Sequence, residues 1–260
     1  MPMAARPGEA IVREFTGQAD AFARAAVYQL AATLESLLAA APLQPDQSWL
    51  DVACGPGIVT CALARRVAQV TGVDLTPAMV ERAAAEAAAA GLVNTRFLVG
   101  DAAALPFAAG TFDGAVTRFS LHHIPAPLRM LREMARVVRP GGHVVVGDHL
   151  TCEEAEASAW HHDVERLRDP THWLSPTPGR FFALGARAGL QLVSGQILPY
   201  DLDFEEWLTR GSGGEANRAL ITDLLEATPP AAREVFGLAG GRVHMQLGIA
   251  SWRVEPHTEE

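Results

Sequence analysis

Leu50-Asp51-Val52-Ala53-Cys54-Gly55-Pro56-Gly57-Ile58-Val59-Thr60 reads as a short apolar strand that breaks into a glycine-rich turn and resumes as a helix. Gly55 and Gly57 let the backbone approach a ligand with no Cβ in the way, and the free N–H groups of the helix N-terminus face whatever occupies the turn. The pattern marks a site for a nucleotide-type ligand. Asp51 argues against a phosphate at the turn, because a carboxylate would repel it, and suits an ammonium group. The dinucleotide fingerprint lacks its third glycine, since Thr60 stands at that step, and no Gly-Lys-Ser/Thr follows to make a phosphate-binding loop.

Outward from this turn the chain alternates short apolar runs with helical ones. Strands are expected over about 48–53, 69–73, 95–99, 112–117 and 143–148, and later over 190–198 and 242–250. Thr76-Pro77 is an N-cap and N1 pair for an alanine-rich helix that Gly91 stops; Thr177-Pro178 opens another helix that ends near Gly189. Strand and helix in alternation mean βαβ units, hence an α/β fold on a parallel sheet with right-handed crossovers. Ahead of the core, residues 11–41 repeat apolar side chains at helical steps until Pro42 and Pro45 intervene. One domain over 1–260 is expected: a helical cap (1–44), a cofactor-binding core (45–150), and lid or acceptor-site insertions at 151–176 and 201–240.

Composition narrows the partners. A net charge of -9 over 260 residues, with no dense arginine run, disfavours nucleic acid. No stretch approaches the ~20 apolar residues of a membrane span, and Met1 to Gly8 has no apolar leader core. Three cysteines, Cys54, Cys61 and Cys152, have no metal-ligand spacing and an odd count, so free thiols and a cytoplasmic setting are expected. Cys54 reads as a packing residue within the turn.

Consecutive strand ends carry Asp51 with Gly55 and Gly57, then Asp74, then Asp101, then Arg118-Phe119. In an open parallel sheet, ligands sit at these carboxyl ends. At this point the chain resembles a class I S-adenosylmethionine-dependent methyltransferase of the broad group that includes the ubiquinone and menaquinone biosynthesis enzymes. The likeness is carried by Leu50 to Gly57, Gly72-Val73-Asp74-Leu75 with Met79, Gly100-Asp101-Ala102 with Leu105-Pro106-Phe107, Phe119-Ser120-Leu121-His122-His123, and Arg136 to Gly142. Ala53 stands where that group more often has glycine, and Phe22 where it often has tyrosine.

The resemblance implies a Rossmann-like, doubly wound, mostly parallel seven-stranded sheet with an antiparallel last strand and helical lid insertions. It implies S-adenosyl-L-methionine as cofactor, with roles for particular residues. Gly55 and Gly57, with Ala53, would lie along the methionine part, and Asp51 would order its ammonium. Asp74 would hold the ribose, Leu75 and Met79 would flank the adenine, Asp101 would take its amino group, and Ala102 would offer an N–H. Arg118 and Phe119 would lie near the methionine tail.

The acceptor side is less defined. His122 and His123 are the candidates for a general base. Residues 160–172 form a polar helix in which His161, Glu165 and Arg168 share a face; a metal site among His161, His162, Asp163, Glu165 and Asp169 is conceivable, but a lid helix of i,i+4 ion pairs is the reading adopted, with no metal. Phe22, Trp160, His161, Arg168, Tyr200 and Trp207 are the candidates to line an acceptor site. The expected activity is methyl transfer to a small, partly apolar metabolite of secondary metabolism, at oxygen, carbon or nitrogen, by a monomer or homodimer. The alternative is a protein that holds the same cofactor as a scaffold for cyclisation, or as a non-catalytic binding subunit.

Overall fold

The computed structural model describes residues 7–25 and 31–256. In chain order these form α1 (Pro7–Ala25), α2 (Ala31–Ala39), β1 (Ser48–Val52), α3 (Ile58–Ala64), β2 (Gln69–Asp74), α4 (Pro77–Ala89), β3 (Thr95–Val99), β4 (Phe112–Arg118), a 3-10 turn at Leu121–His123, α5 (Pro127–Val137) and β5 (Val138–His149). The later part adds α6 (Ala155–Arg168), α7 (Pro178–Arg187), β6 (Leu190–Asp203), α8 (Phe204–Arg210), α9 (Arg218–Glu226), β7 (Phe236–Ala239) and β8 (Arg242–Val254).

The strands make one sheet in the order β3-β2-β1-β4-β5-β8-β6, with β7 also paired to β8. β1 to β5 run parallel to one another, whereas β8 lies antiparallel between β5 and β6. This is the mostly parallel, doubly wound sheet that the alternation predicts, with Arg242 onward as the antiparallel strand.

Side chains of successive strand residues point to opposite faces, and both faces are covered. Leu50, Val52, Val144 and Val146 pack on one side with Met130, Leu131 and Phe181. Trp49 and Val145 pack on the other with Leu37, Leu63 and Val70. Each such burial contributes about 1.5–3 kcal/mol as an upper estimate. Thr76 stands at the N-cap of α4 without a side-chain capping bond, whereas the stop signal acts as the sequence suggests. α4 ends in a paired-bond cap: Gly91 takes φ 68°, its N–H donates to Ala88 O at 3.0 Å and that of Leu92 to Ala87 O at 2.9 Å.

The structure changes three expectations. α1 begins earlier than Ile11, at Pro7. β6 continues past Leu198 to Asp203, passing through Pro199, which an edge strand tolerates because the missing N–H would have faced outward. An eighth, short strand, β7, lies inside the 201–240 insertion. Gly240 and Gly241, with φ of 56° and 74°, turn it tightly into β8.

Beyond the sheet, α6, α8 and α9 with β7 and the start of β8 build a satellite core around Val164, Trp207, Leu208, Ile221 and Phe236. Phe119 and Tyr200 pack against this cluster.

Candidate active site

A cavity of about 350 Å³ opens at the carboxyl ends of β1 to β4. It is lined by Asp51, Ala53, Gly55, Asp74, Leu75, Met79, Asp101, Ala102, Arg118, Phe119 and His123, so most of the expected cofactor residues converge. α1 crosses the mouth and supplies Gly8, Ile11 and Phe15. The helix is tied down at Ser212, whose N–H and hydroxyl donate to Glu14 at 2.9 and 2.7 Å.

The turn after β1 is held by its own backbone. The Cys54 N–H donates to Val73 O and the Gly57 N–H to Cys54 O, both at 3.0 Å. Ala53 and Phe119 are the described non-glycine residues at positive φ, 54° and 53°, and both line the cavity. That conformation costs about 1–2 kcal/mol for an L-residue and is typical of functional sites. The two glycines divide the labour. At Gly55, φ 53°, a Cβ would meet nothing within 4 Å. At Gly57, φ 85°, it would come within 2.9 Å of the Ala83 Cβ, so this glycine seats α3 against α4 and does not line the cavity. Cys54 packs its sulfur over Gly72, and burial pushes its thiol well above the ordinary range.

Asp51 is buried and accepts the Thr60 hydroxyl at 2.6 Å. Burial pushes its carboxyl up to about 7, against the opposing pull of the Thr60 bond and the Arg118 charge. Asp74 accepts backbone N–H groups from Gly55 and Thr76, each at 2.8 Å, yet burial still raises its pKa. Arg118 lies over the Phe119 ring, 5.2 Å from its centre. Burial lowers its guanidinium to about 10, while Asp51 acts the other way.

These residues fit S-adenosylmethionine. The Arg118 Nη1 is buried with no hydrogen-bond partner among the described residues, and the carboxylate of the methionine tail would satisfy it. Asp51, whose carboxyl burial holds near neutrality, would suit the adjacent ammonium. Each Asp74 oxygen has a lone pair left for a ribose hydroxyl. Asp101 uses Oδ1 on the Ala103 N–H at 2.8 Å, leaving Oδ2 for an exocyclic amine.

The two histidines after β4 part company. His122 does not line the cavity; its Nδ1 meets Asp148 Oδ1 at 2.5 Å, and Asp148 also accepts from Leu121 and His149 N–H groups. Burial lowers the His122 pKa, but the Asp148 charge and hydrogen bond outweigh it and the net shift is upward. His123 does line the cavity, edge-on to Phe15 at 4.9 Å. Burial, with the neighbouring His122 charge, lowers its pKa to about 4, so its ring is neutral.

Among the other acceptor candidates, Trp160, His161, Arg168, Tyr200 and Trp207 do not line the cavity. The side chain of Phe22 is outside the described residues. Trp160 packs toward Phe236, and His161 stacks on the same ring at 3.9 Å while its Nδ1 meets Thr151 at 3.1 Å. Arg168 pairs with Glu165 at 2.7 Å and covers the buried Trp207. Tyr200 hydrogen-bonds His149, whose ring stacks on Phe119. Asp163 faces Arg166, and His162 meets His172 at 3.1 Å, so the residues weighed for a metal have separate partners. Among the described residues no group of three or more such side chains is arranged to hold a metal. His149 and Thr171 are site neighbours that sequence reasoning passed over, because each is one polar residue in a strand end or loop; Asp169, weighed from the sequence only as a metal ligand, lies beside them and accepts from Thr171.

Comparisons with known proteins identify the family and the fold. Residues 50–146 match the family model described as a methyltransferase domain. Over 223 residues the chain is 28% identical to YcgJ, an uncharacterised methyltransferase of Bacillus subtilis (strain 168), covering 85% of this chain and 88% of that one. The crystal structure of YcgJ superimposes with a TM-score of 0.78 at 26% identity, over 86% of this chain and 99% of that chain. Identity to YafE of Escherichia coli (strain K12), an uncharacterised protein, is 30% over 185 residues, 70% of this chain and 88% of that one. A demethylmenaquinone methyltransferase of Shouchella clausii (strain KSM-K16) is 38% identical over 106 residues, 40% of this chain and 45% of its own length. The chain belongs to the class I S-adenosylmethionine-dependent methyltransferases.

Proposed function

We propose that this methyltransferase acts on a small, partly apolar acceptor bearing an ionisable O–H, C–H or N–H, with His123 as general base. The observation that carries the reading is the place of His123. It is the titratable side chain of the post-β4 turn that lines the same cavity as the cofactor cradle, and burial keeps its ring neutral, so one ring nitrogen retains its lone pair. Phe15, Ile11, Phe119 and Ile124 line the cavity too, which supports an acceptor with apolar surface.

S-adenosylmethionine, when bound, supplies a methyl group on a positively charged sulfur. The chain's part is placement. Asp51, Arg118 and Asp74 would hold the two polar ends, while Leu75 and Met79 would flank the base. α1 lines the mouth of the cavity, and water excluded there on ligand binding would strengthen every electrostatic contact inside. The three cysteines are free, which supports a reducing, cytoplasmic setting. No described helix is long and apolar enough to cross a membrane.

Incubation with methyl-labelled cofactor and a panel of phenols, quinone precursors and amines tests this. Label in a panel product supports the reading. Cofactor binding with no label moved to any member would favour the scaffold alternative.

A further inference from the structure

Between α6 and α7 the chain folds back onto the His122-His123 turn. The Trp173 and Leu174 N–H groups donate to His122 O at 2.7 and 3.1 Å, which straps the segment in place. Two residues earlier, Thr171 stands between His123 and Asp169. The Thr171 hydroxyl donates to Asp169 Oδ1 at 2.6 Å and lies 3.0 Å from His123 Nδ1. The Thr171 carbonyl oxygen is 3.3 Å from the same ring nitrogen. Asp169 is 3% exposed and also accepts the Thr171 N–H at 2.9 Å.

Counting protons decides the tautomer. A carboxylate accepts only, so the single hydroxyl hydrogen of Thr171 goes to Asp169. The Thr171 oxygen then has only lone pairs to offer His123, and its carbonyl can only accept as well. Both contacts require hydrogen on Nδ1, which leaves the lone pair on Nε2. Among the described residues no hydrogen bond is made by His123 Nε2.

We propose that Asp169 and Thr171 are positioning residues that lock His123 in its Nδ1–H form, so that Nε2 is the atom that takes the acceptor's proton. The proposal rests on the reading of His123 as base, but the tautomer is measurable without it. In the step itself, the acceptor's X–H bond breaks and the proton passes to Nε2. The acceptor's electron pair forms the bond to the methyl carbon, and the carbon–sulfur pair returns to sulfur. One positive charge is thereby lost at sulfur and gained by the imidazole.

The surroundings explain why that charge needs a counter-ion. His123 is faced by the His122 ring at 4.0 Å, by Asp148 behind it on β5, by Phe15 of α1, by the His172 ring beyond His122, and by Asp169 with Thr171. Asp148 is committed to His122. Asp169 is the carboxylate linked to His123 itself, one hydroxyl away.

Long-range proton–nitrogen NMR spectra of the full chain, loaded with S-adenosylhomocysteine, test the proposal. Wild type should show His123 protonated on Nδ1 and bare on Nε2. Asp169→Asn can reverse the chain of donors and should populate the Nε2–H form. Thr171→Val, nearly isosteric and a guard against misfolding of the first variant, should lower the His123 titration midpoint, and Thr171→Ser should restore it. An Nε2–H tautomer in wild type, or variants that fold with tautomer and midpoint unchanged, would overturn the proposal. Failure of the methyl-transfer reading shows separately, as label that never leaves the cofactor in wild type.

Discussion

Asp74 Oδ2 accepts the backbone N–H of Gly55 at 2.8 Å, so the end of β2 is fastened to the turn that follows β1. One carboxylate therefore shapes the glycine turn and offers its remaining lone pairs to the ligand in that turn. Asp74→Ala should remove both contributions. Hydrogen bonds to a charged group contribute about 1.5–3 kcal/mol each, so cofactor Kd should rise by about 100-fold or more, measured by calorimetry. A change below about threefold would remove Asp74 from the binding site.

Gly55 and Gly57 should fail differently. A Cβ at Gly55 enters open space and strains only the backbone, about 1–2 kcal/mol, but occupies room the cofactor needs. Gly55→Ala should keep the far-ultraviolet circular dichroism and weaken cofactor binding. Gly57→Ala meets the same strain plus Ala83 at 2.9 Å, and should lower Tm by more than Gly55→Ala does. Equal Tm values for the two variants would contradict this division.

The raised pKa of Asp51 links binding to proton release. Free protein holds this carboxyl half-protonated near pH 7, whereas the cofactor's ammonium favours the ionised form. Affinity should therefore be highest above pH 7 and fall as pH drops through it, by up to about tenfold per unit. Binding at pH 6 should release a proton, seen as a dependence of calorimetric heat on buffer ionisation enthalpy. Uptake of a proton instead would mean that Asp51 does not face the ammonium.

His122 and His123 should separate stability from chemistry. His122→Ala leaves the fully buried Asp148 without its imidazole partner, a loss of about 3–5 kcal/mol for a broken buried pair. Its Tm should fall steeply. His123→Ala removes a neutral ring at a cavity wall, so Tm should change less while turnover drops by about 100-fold or more with cofactor affinity kept. Turnover that survives in His123→Ala would assign the base elsewhere.

Much of this was legible in residue order because the signals are local. A β-strand running through Asp51 into a glycine turn, the Thr76-Pro77 start of α4 and its Gly91 stop each depend on a few neighbouring dihedrals. Strand-end residues also converge by rule, since parallel strands bring their carboxyl ends to one edge. The Gly240-Gly241 pair was a usable signal for the β7–β8 hairpin, but it follows a run too short to stand out as a strand.

The chain's linear pattern was sufficient for the α/β class and for the strand ends that meet at the cavity, because periodicity and turn chemistry act over short spans; the cofactor type followed from the resemblance of the motifs to a family. It could not divide Gly55 from Gly57, or His122 from His123. Those differences arise from partners far along the chain: Ala83 on α4 behind Gly57, Asp148 on β5 behind His122, and Asp169 and Thr171 behind His123. Burial and charge at such contacts depend on distances in space, and only packing the sheet against its helices brings those residues together.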